Sequence, residues 1–302
     1  MIAKSKGMLY LALLSVIWGA SFLLIKIAGQ SFPPLALATG RMVIGAVCLF
    51  FFLKAQGGGM PRISRVWVPF LLLGIFNALI PIALLSFAET EISSGLTAVL
   101  NSTVPIITVI LAHFLVDERL TTDKTIGIII GFSGTLIVLI PNLSNGTSTS
   151  ITGLIAVLLA SLFIALSTIY ARKYLKDVPP AQTATGMMAS AAVVGFPLML
   201  IFENPDQISP AGDDILALFA LGIICSAVAY LLYYWLVANR GATYASLVMF
   251  TQPALALIFS AIFIDASVQW TTILGMAVIL LCIAIMDGFL DRFFKSKKPS
   301  TA

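Results

Sequence analysis

Residues 66–88 read VWVPFLLLGIFNALIPIALLSFA, a run of 23 residues without a charged side chain. Crossing the ~30 Å hydrocarbon core of a bilayer takes roughly 20 apolar residues in an α-helix. The run therefore predicts a membrane-spanning helix. Similar apolar runs fall at 7–29, 34–54, 93–115, 125–141, 152–171, 181–202, 214–237, 243–264 and 270–290.

The composition of the whole chain agrees with ten membrane spans. Of its 302 residues, 60% are hydrophobic and 10% are charged, whereas soluble domains contain about 45–50% apolar and about 25% charged residues. A soluble enzyme, a disordered chain and a secreted disulfide scaffold are therefore excluded. Ten helices would use about 200 residues, which leaves only loops and short tails. The three cysteines lie in apolar runs, so neither a disulfide framework nor a metal site is expected.

The distribution of charge predicts the orientation of the chain. If the N-terminus is cytoplasmic and the spans alternate, 15 of the 17 basic residues fall in cytoplasmic segments, and the opposite loops contain acids but no bases. The positive-inside rule then predicts ten spans with both termini in the cytoplasm. The net charge of +4 is therefore explained by basic residues at the cytoplasmic surface of the membrane. The expected partners are the lipid bilayer and a small-molecule substrate, and no nucleic acid is expected.

The two halves of the sequence are related by an internal repeat. A shift of 148 positions aligns 74–127 on 222–275 without a gap, and a shift of 146 relates the segments upstream. The aligned pairs include Gly74 with Gly222, Pro105 with Pro253, Asp117 with Asp265 and Gly127 with Gly275. We predict two repeats, 1–145 and 146–302, each with five spans. Because five is odd, the repeats must have opposite orientations, an arrangement typical of transporters whose substrate site lies between the repeats near the midplane.

Several short motifs resemble those of one carrier family. Trp18-Gly19-Ala20-Ser21-Phe22 in the first span, followed by Pro105, the turn Asp117-Glu118-Arg119-Leu120-Thr121 and Gly127, resembles the EamA family of the drug/metabolite transporter superfamily. The resemblance covers essentially the whole chain. It implies a ten-helix carrier in a bacterial inner membrane that exports amino acids or related small compounds. The second half has Ala266 where Glu118 aligns, so no symmetric role is expected for that acid.

Polar and aromatic residues inside the spans are the candidates for a substrate cavity, because such groups are costly in a membrane and usually have a function. An alternative role in helix packing remains open for each of them. Arg41 is the candidate contact for an anionic substrate, and Tyr230 and Tyr234 share one helix face. The predicted cavity residues are Trp18, Ser21, Arg41, Asn77, Asn101, Tyr230, Tyr234 and Gln252.

Three further residues are singled out by their chemistry. Pro105 and Pro253 are predicted to break the fourth and ninth spans and to free a backbone carbonyl each beside the cavity. A structural kink satisfied by neighbouring helices is the alternative. His113, the only histidine, is a candidate for coupling to protons, with a simple hydrogen bond at the helix end as the alternative.

Other functional classes fit less well. Gly131-Phe132-Ser133-Gly134 matches an intramembrane-protease motif, but that chemistry needs a histidine base on a later helix, and none follows Ser133. The glycines are better interpreted as a helix-packing face. The chain is therefore predicted to be no enzyme and to need no cofactor. An exporter of drugs, nucleosides or sugars and a channel remain alternatives, as do a monomer and a homodimer.

Overall fold

The computed structural model describes residues 2–61, 66–116, 118, 120–143, 150–203, 208–264 and 270–286, and all regular secondary structure within these ranges is helical. The basic residues between Arg292 and Lys298 at the C-terminus lie outside the described residues, as do the aligned residues Asp117 and Asp265. We number the helices in chain order as α1 (Ile2–Ala28), α2 (Pro34–Ala55), α3 (Trp67–Glu91), α4 (Ser94–Asn101 and Val104–Leu115), α5 (Thr122–Leu143), α6 (Ile151–Tyr174), α7 (Pro180–Phe202), α8 (Gly212–Arg240), α9 (Ala242–Ser246 and Val248–Ile264) and α10 (Trp270–Met286).

Each of the ten predicted runs forms a helix. Within the described residues, eight helical stretches are long and apolar enough to cross a membrane, which makes the chain a multi-pass membrane protein. The helix α10 is apolar but shorter, with 17 residues. The helix α5 has 22 residues and lies against it. The ten-span prediction is therefore slightly above the number of spans that these criteria give.

The repeat-equivalent helices α5 and α10 run antiparallel to each other. Gly127, near the start of α5, faces Met286 at the end of α10, whereas Gly134 further along α5 faces Gly275 near the start of α10. Residue numbers that rise along one helix and fall along the other show opposite directions. The two five-helix repeats are thus inverted, as the odd number of spans predicts.

The packing between the halves follows the same symmetry. The helix α1 packs on α8 and α9, and its repeat equivalent α6 packs on α3 and α4. The equivalent helices α2 and α7 pack on each other, as α5 and α10 do. A pseudo-two-fold axis therefore passes through the interface between the halves, and any cavity on that axis is bounded by both repeats.

The glycines of α5 form a close packing face rather than a protease site. The Ser133 hydroxyl is exposed and donates a hydrogen bond to the backbone oxygen of Ile129, 2.8 Å away. Gly131 lies against Phe250 and Cys282, where no side chain would fit. The interpretation of this motif as a helix-packing face is confirmed.

Gly134→Ala is expected to lower the thermal unfolding midpoint of the protein in detergent by several degrees. The added methyl would lie 2.9 Å from the carbonyl oxygen of Gly275, so α5 and α10 must separate, and overpacking of this kind costs about 1–3 kcal/mol. Gly212→Ala is the matched control, since nothing lies within 4 Å of its added methyl. Equal midpoints for the two variants would contradict the close packing.

Two short π-helical turns interrupt the spans α3 and α8. They cover Gly74–Leu79 and Ile223–Val228, which are equivalent positions of the two repeats within one residue. A π-turn carries an extra residue in the helical ladder and leaves backbone groups free for other partners, and such turns often occur at functional sites. The sequence pattern did not predict either turn.

The two repeat-equivalent prolines have different effects on their helices. The helix α4 is interrupted at Ser102 and Thr103, just before Pro105. Pro253 instead lies inside the segment Val248–Ile264, and the interruption of α9 falls earlier, at Leu247. The predicted break therefore does not fall at Pro253 itself, although its missing N–H removes one helical hydrogen bond there.

Candidate substrate cavity

A narrow cavity of about 60 Å³ lies at mid-depth between the two repeats. Side chains from seven of the ten helices line it, and the whole lining is predominantly apolar with a few polar groups. The structure brings together at this cavity the predicted residues Trp18, Ser21, Arg41, Asn77, Asn101, Tyr230 and Gln252.

The cavity lies on the pseudo-two-fold axis, because its lining contains residues that the repeat makes equivalent. In each such pair an aromatic or amide side chain faces an aliphatic or thioether one. The pairs are Trp18 with Ile164, Tyr230 with Ile82, Tyr233 with Leu85, and Asn101 with Met249. The backbone around the axis is therefore symmetric, whereas the side chains that line the cavity differ between equivalent positions. This difference gives the cavity one wall suited to ring stacking and hydrogen bonding.

Arg41 supplies a positive charge to the cavity wall. The residue is 4% exposed, and its guanidinium donates hydrogen bonds from Nε to Ser226 Oγ at 3.0 Å and from Nη2 to the carbonyl oxygen of Cys225 at 3.3 Å. Both partners are neutral. Since the described residues hold this buried charge by dipoles alone, it is well placed to attract an anionic group of a ligand.

The π-turns provide backbone acceptors at the same level. The carbonyl oxygen of Cys225 also accepts a hydrogen bond from Trp18 Nε1 at 3.0 Å. Its repeat equivalent, Asn77, accepts one on its carbonyl oxygen from the Tyr230 hydroxyl at 3.3 Å. The two turns thus orient the aromatic side chains of the cavity. Gly74 begins the first turn, and Gly222 directly precedes the second.

The side chain of Asn77 is held in place from two sides. Its Nδ2 donates to Ser167 Oγ at 2.7 Å, and its Oδ1 accepts from the Tyr234 hydroxyl at 3.2 Å. Tyr234 does not line the cavity but lies behind Asn77, with its ring stacked on that of Tyr230 at a centroid distance of 6.0 Å. The structure therefore gives Tyr234 a positioning role rather than a direct one.

An amide pair bridges the two repeats. Asn101 Nδ2 donates to Gln252 Oε1 at 3.1 Å, and Asn101 Oδ1 accepts from the Ser161 hydroxyl at 3.4 Å. Through these bonds, helices α4, α6 and α9 meet at one polar junction beside the cavity. Ser21 takes no part in this junction, because its hydroxyl donates to the carbonyl oxygen of Trp18 in its own helix.

The cavity is closed toward the end of the bundle where α1 begins and α10 ends, which we call the terminal face. Tyr10 packs edge-on against Trp235 with ring centroids 4.7 Å apart, and Tyr233 forms a hydrogen bond with Thr168. In the other direction, toward what we call the opposite face, the cavity extends along Ile25 and Leu85, among others. The conformation is thus sealed at the terminal face.

Glu118 completes the seal by joining the two repeats at the terminal face. Its carboxylate accepts hydrogen bonds from the backbone N–H groups of Ala242 at 2.6 Å and Thr243 at 3.2 Å, at the start of α9. Lys124 and Arg172 lie 3.8 and 4.0 Å from the carboxylate. A negative group at a helix N-terminus satisfies N–H donors that the helix leaves without partners.

The repeat equivalent of this cap is built differently. Gly241 precedes α9 with φ +92, and a Cβ on it would lie 2.6 Å from Glu118 Oε1. The equivalent residue Ser93 caps α4 with its own hydroxyl, which accepts from the N–H of Leu96 at 3.3 Å. One helix is thus capped by its own residue and the other from the opposite repeat.

A comparison with known protein families decides the identity of this fold. The model of the EamA-like transporter family matches the chain twice, over residues 5–140 and 151–286. The chain belongs to the EamA-like transporter family. The resemblance of the sequence motifs to this family is confirmed, and family and relatives alike indicate a transporter rather than an enzyme.

The relatives of this EamA-like transporter cover nearly its whole length. It is 24% identical over 94% of the chain to the uncharacterized transporter YoaV of Bacillus subtilis (strain 168), covering 97% of that protein. An uncharacterized transporter of Archaeoglobus fulgidus is 27% identical over 93% of this chain and 98% of its own. The uncharacterized inner membrane transporter YedA of Escherichia coli (strain K12) is 24% identical, with 96% and 92% covered.

A protein of known crystal structure has the same fold. It superposes on this EamA-like transporter with a TM-score of 0.79 at 20% identity, over 96% of this chain and 99% of the other. Since the fold alone does not determine a substrate, the cargo must be inferred from the cavity.

In this EamA-like transporter His113 lies away from the cavity. The side chain is exposed on the terminal face, where Nδ1 accepts a weak hydrogen bond from the N–H of Leu120 at 3.4 Å. It lines a separate pocket with Glu118 and Arg172, among others. A role of His113 in proton coupling stays a prediction.

Proposed function

We propose that this EamA-like transporter exports amino acids or related small carboxylates by alternating access. The observation that carries the substrate class is the guanidinium of Arg41 at the cavity wall, whose hydrogen bonds within the described part of the chain go to the neutral groups of Ser226 and Cys225. A substrate carboxylate would satisfy its remaining donors and balance its charge. The amides of Asn77, Asn101 and Gln252 are suited to the polar part of the substrate, and the ring of Trp18 to its apolar part.

Alternating access is supported by the inverted repeats and by the seal at the terminal face. Exchanging the conformations of the two repeats would close the opposite face and open the terminal one around the same central site. The cavity of about 60 Å³ is much smaller than the ~300–1,000 Å³ typical of ligand sites. Substrate binding therefore requires the helices around the axis to move apart.

The proposal is tested by uptake into proteoliposomes that contain the purified full-length protein. A labelled amino-acid mixture is supplied outside, and competition by unlabelled amino acids is compared with competition by their decarboxylated amines. We expect the acids to compete at least tenfold better, because the amines lack the group that Arg41 recognises. Equal competition would contradict a role for the carboxylate.

A second candidate cargo is an aromatic compound such as a nucleoside or a planar drug. The observation that favours it is the cluster of rings at the cavity, in which Trp18 lies 5.5 Å from Tyr230 and 5.2 Å from Tyr233 by ring centroids. Such rings stack on flat ligands. Competition by nucleosides but by no amino acid in the same assay would select this class and reject the first.

We also propose that the protein lies in a bacterial inner membrane with both termini in the cytoplasm. The segregation of basic residues to the terminal-face loops supports this orientation, and the relative YedA is named as an inner membrane transporter. Fusion of a reporter that fluoresces only in the cytoplasm to the C-terminus is expected to give a fluorescent protein. A dark fusion that is present at normal abundance would contradict this orientation.

A further inference from the structure

An apolar groove, which we call the lateral groove, runs along the outside of the bundle between α3, α4 and α6. It has a volume of about 450 Å³ and extends from Phe76 and Phe163 at mid-depth to Leu115 and Tyr174 near the terminal face. Leu166 and Tyr174 are 39% and 55% exposed. In a membrane-spanning bundle such a surface faces hydrocarbon, so its natural occupant is an acyl chain.

The lateral groove continues into a second pocket at the terminal face, which we call the basic pocket. This pocket also has a volume of about 450 Å³, and it shares Leu115 and Lys173 with the groove. Among the residues that the structure describes, its charged lining consists of Arg172, Lys173 and Lys176 together with one acid, Glu118. Cations thus outnumber acids at the point where the groove leaves the hydrocarbon.

The charges of the basic pocket are only partly used within the protein. Glu118 binds the start of α9, and Arg172 donates from Nη1 to the carbonyl oxygens of Ala238 and Val237 at 2.6 and 3.2 Å. Lys173 is exposed, and its ammonium lies 5.6 Å from the ring centroid of Tyr174, an uncharged partner that does not neutralise it. Lys176 is also exposed, three residues further along the chain and just beyond the end of α6.

We propose that the lateral groove and the basic pocket together bind one anionic phospholipid. An acyl chain lies along the groove, and the phosphate lies against Lys173 and Lys176. Basic pockets at the ends of membrane helices attract anionic headgroups, and the adjoining apolar surface adds the energy of burying the chain. Neither half of the site would select such a lipid alone, but their continuity matches the shape and charge of a single molecule.

The site also reaches the back of the substrate cavity. Ser167 lines the lateral groove and accepts the hydrogen bond from Asn77 Nδ2 at 2.7 Å. An acyl chain in the groove therefore packs beside the residue that orients a cavity amide. Lipid occupancy is expected to restrict the motion of α6 against α3, which links the composition of the membrane to the state of the cavity.

The test uses the purified full-length protein in detergent, titrated with phosphatidylglycerol or with phosphatidylcholine of the same acyl chains. We expect phosphatidylglycerol to raise the thermal unfolding midpoint more than phosphatidylcholine does. In the double variant Lys173→Gln with Lys176→Gln, the apparent affinity for phosphatidylglycerol is expected to fall about 10- to 30-fold. Lys6→Gln with Lys54→Gln is the matched control, because both lysines are exposed on α1 and α2 outside this site.

Further measurements distinguish a lipid phosphate from free phosphate and provide a second site variant in case the first one misfolds. Inorganic phosphate is expected to leave the thermal unfolding midpoint unchanged. The variant Leu166→Trp, which fills the groove, is expected to weaken the binding of phosphatidylglycerol as well. Native mass spectrometry of the wild-type protein should retain one phosphatidylglycerol under conditions that remove phosphatidylcholine. Equal stabilisation by the two lipids, full stabilisation by phosphate alone, or an unchanged affinity in both site variants would overturn the proposal.

Discussion

Arg41→Gln is expected to reduce amino-acid uptake at limiting substrate concentration about 10- to 100-fold. Hydrogen bonds to charged groups contribute about 1.5–3 kcal/mol, and glutamine has neither the charge nor the two-pronged geometry of a guanidinium. The residue is buried at the cavity wall with the neutral partners Ser226 and Cys225. The loss should therefore appear mainly as a higher KM for substrates that carry a carboxylate.

Two companion variants separate recognition from folding. Arg41→Lys keeps the charge and should recover part of the uptake, whereas Ser226→Ala removes one neutral partner and should have a small effect. Each variant is first compared with the wild type by size-exclusion profile and thermal midpoint in detergent. If well-folded Arg41→Gln kept the wild-type KM for an amino acid, recognition of the carboxylate by Arg41 would be wrong.

Glu118→Gln is expected to open the terminal face. The carboxylate holds the N–H groups of Ala242 and Thr243 and lies near Lys124 and Arg172, so it joins the two repeats in the closed terminal face. An amide loses the charge and one acceptor oxygen. The closed state should lose stability relative to the open one, and the fraction of molecules open at the terminal face should rise at least about fivefold.

The opening is measured by cysteine labelling. In a background with Cys48, Cys225 and Cys282 replaced by alanine, the cavity variant Ser21→Cys reacts with a membrane-impermeant maleimide added at the terminal face. Glu118→Gln should accelerate this reaction and slow the reaction from the opposite face. Asp123→Asn, the same chemical change at an exposed position of α5, is the matched control. Equal rates in the two variants would exclude Glu118 from the seal.

The helices and the repeats could be predicted from the sequence because both depend on strong, local signals. A run such as 66–88 can hardly be anything other than a buried or membrane-spanning helix. The aligned glycines make the repeat visible, because positions such as Gly74 and Gly222 lie in contacts too close for a side chain. The odd number of spans predicted opposite orientations for the two repeats, and the antiparallel packing of α5 on α10 at Gly134 and Gly275 agrees with that prediction.

The arrangement of the site could be predicted only in part. Polar side chains such as Asn77 and Asn101 stand out in an apolar sequence, and the cost of burying them makes a cavity a natural expectation. Whether a residue lines that cavity or supports a neighbour depends on rotation about the helix axis. Tyr234 illustrates this, since its hydroxyl contacts Asn77 from behind.

The backbone irregularities could not be predicted. Nothing in Gly74–Leu79 or Ile223–Val228 distinguishes a π-turn from an α-helix, because the extra residue is stabilised by contacts to Tyr230, Trp18 and Arg41 from distant segments. The sequence also does not explain why the second repeat lacks an acid that aligns with Glu118. The structure explains it, because Ser93 caps α4 with its own hydroxyl and no acid from the other repeat is needed there.

The central claim, a carrier that alternates around one site on the axis, is tested most directly by exchange. Proteoliposomes are loaded with an unlabelled amino acid, and the initial uptake of the same labelled compound is compared with that of unloaded vesicles. The account predicts saturable uptake that is accelerated several-fold by the internal substrate, because the returning site moves faster when it is occupied. Uptake that rises linearly with concentration and ignores the internal substrate would indicate a channel and contradict the account.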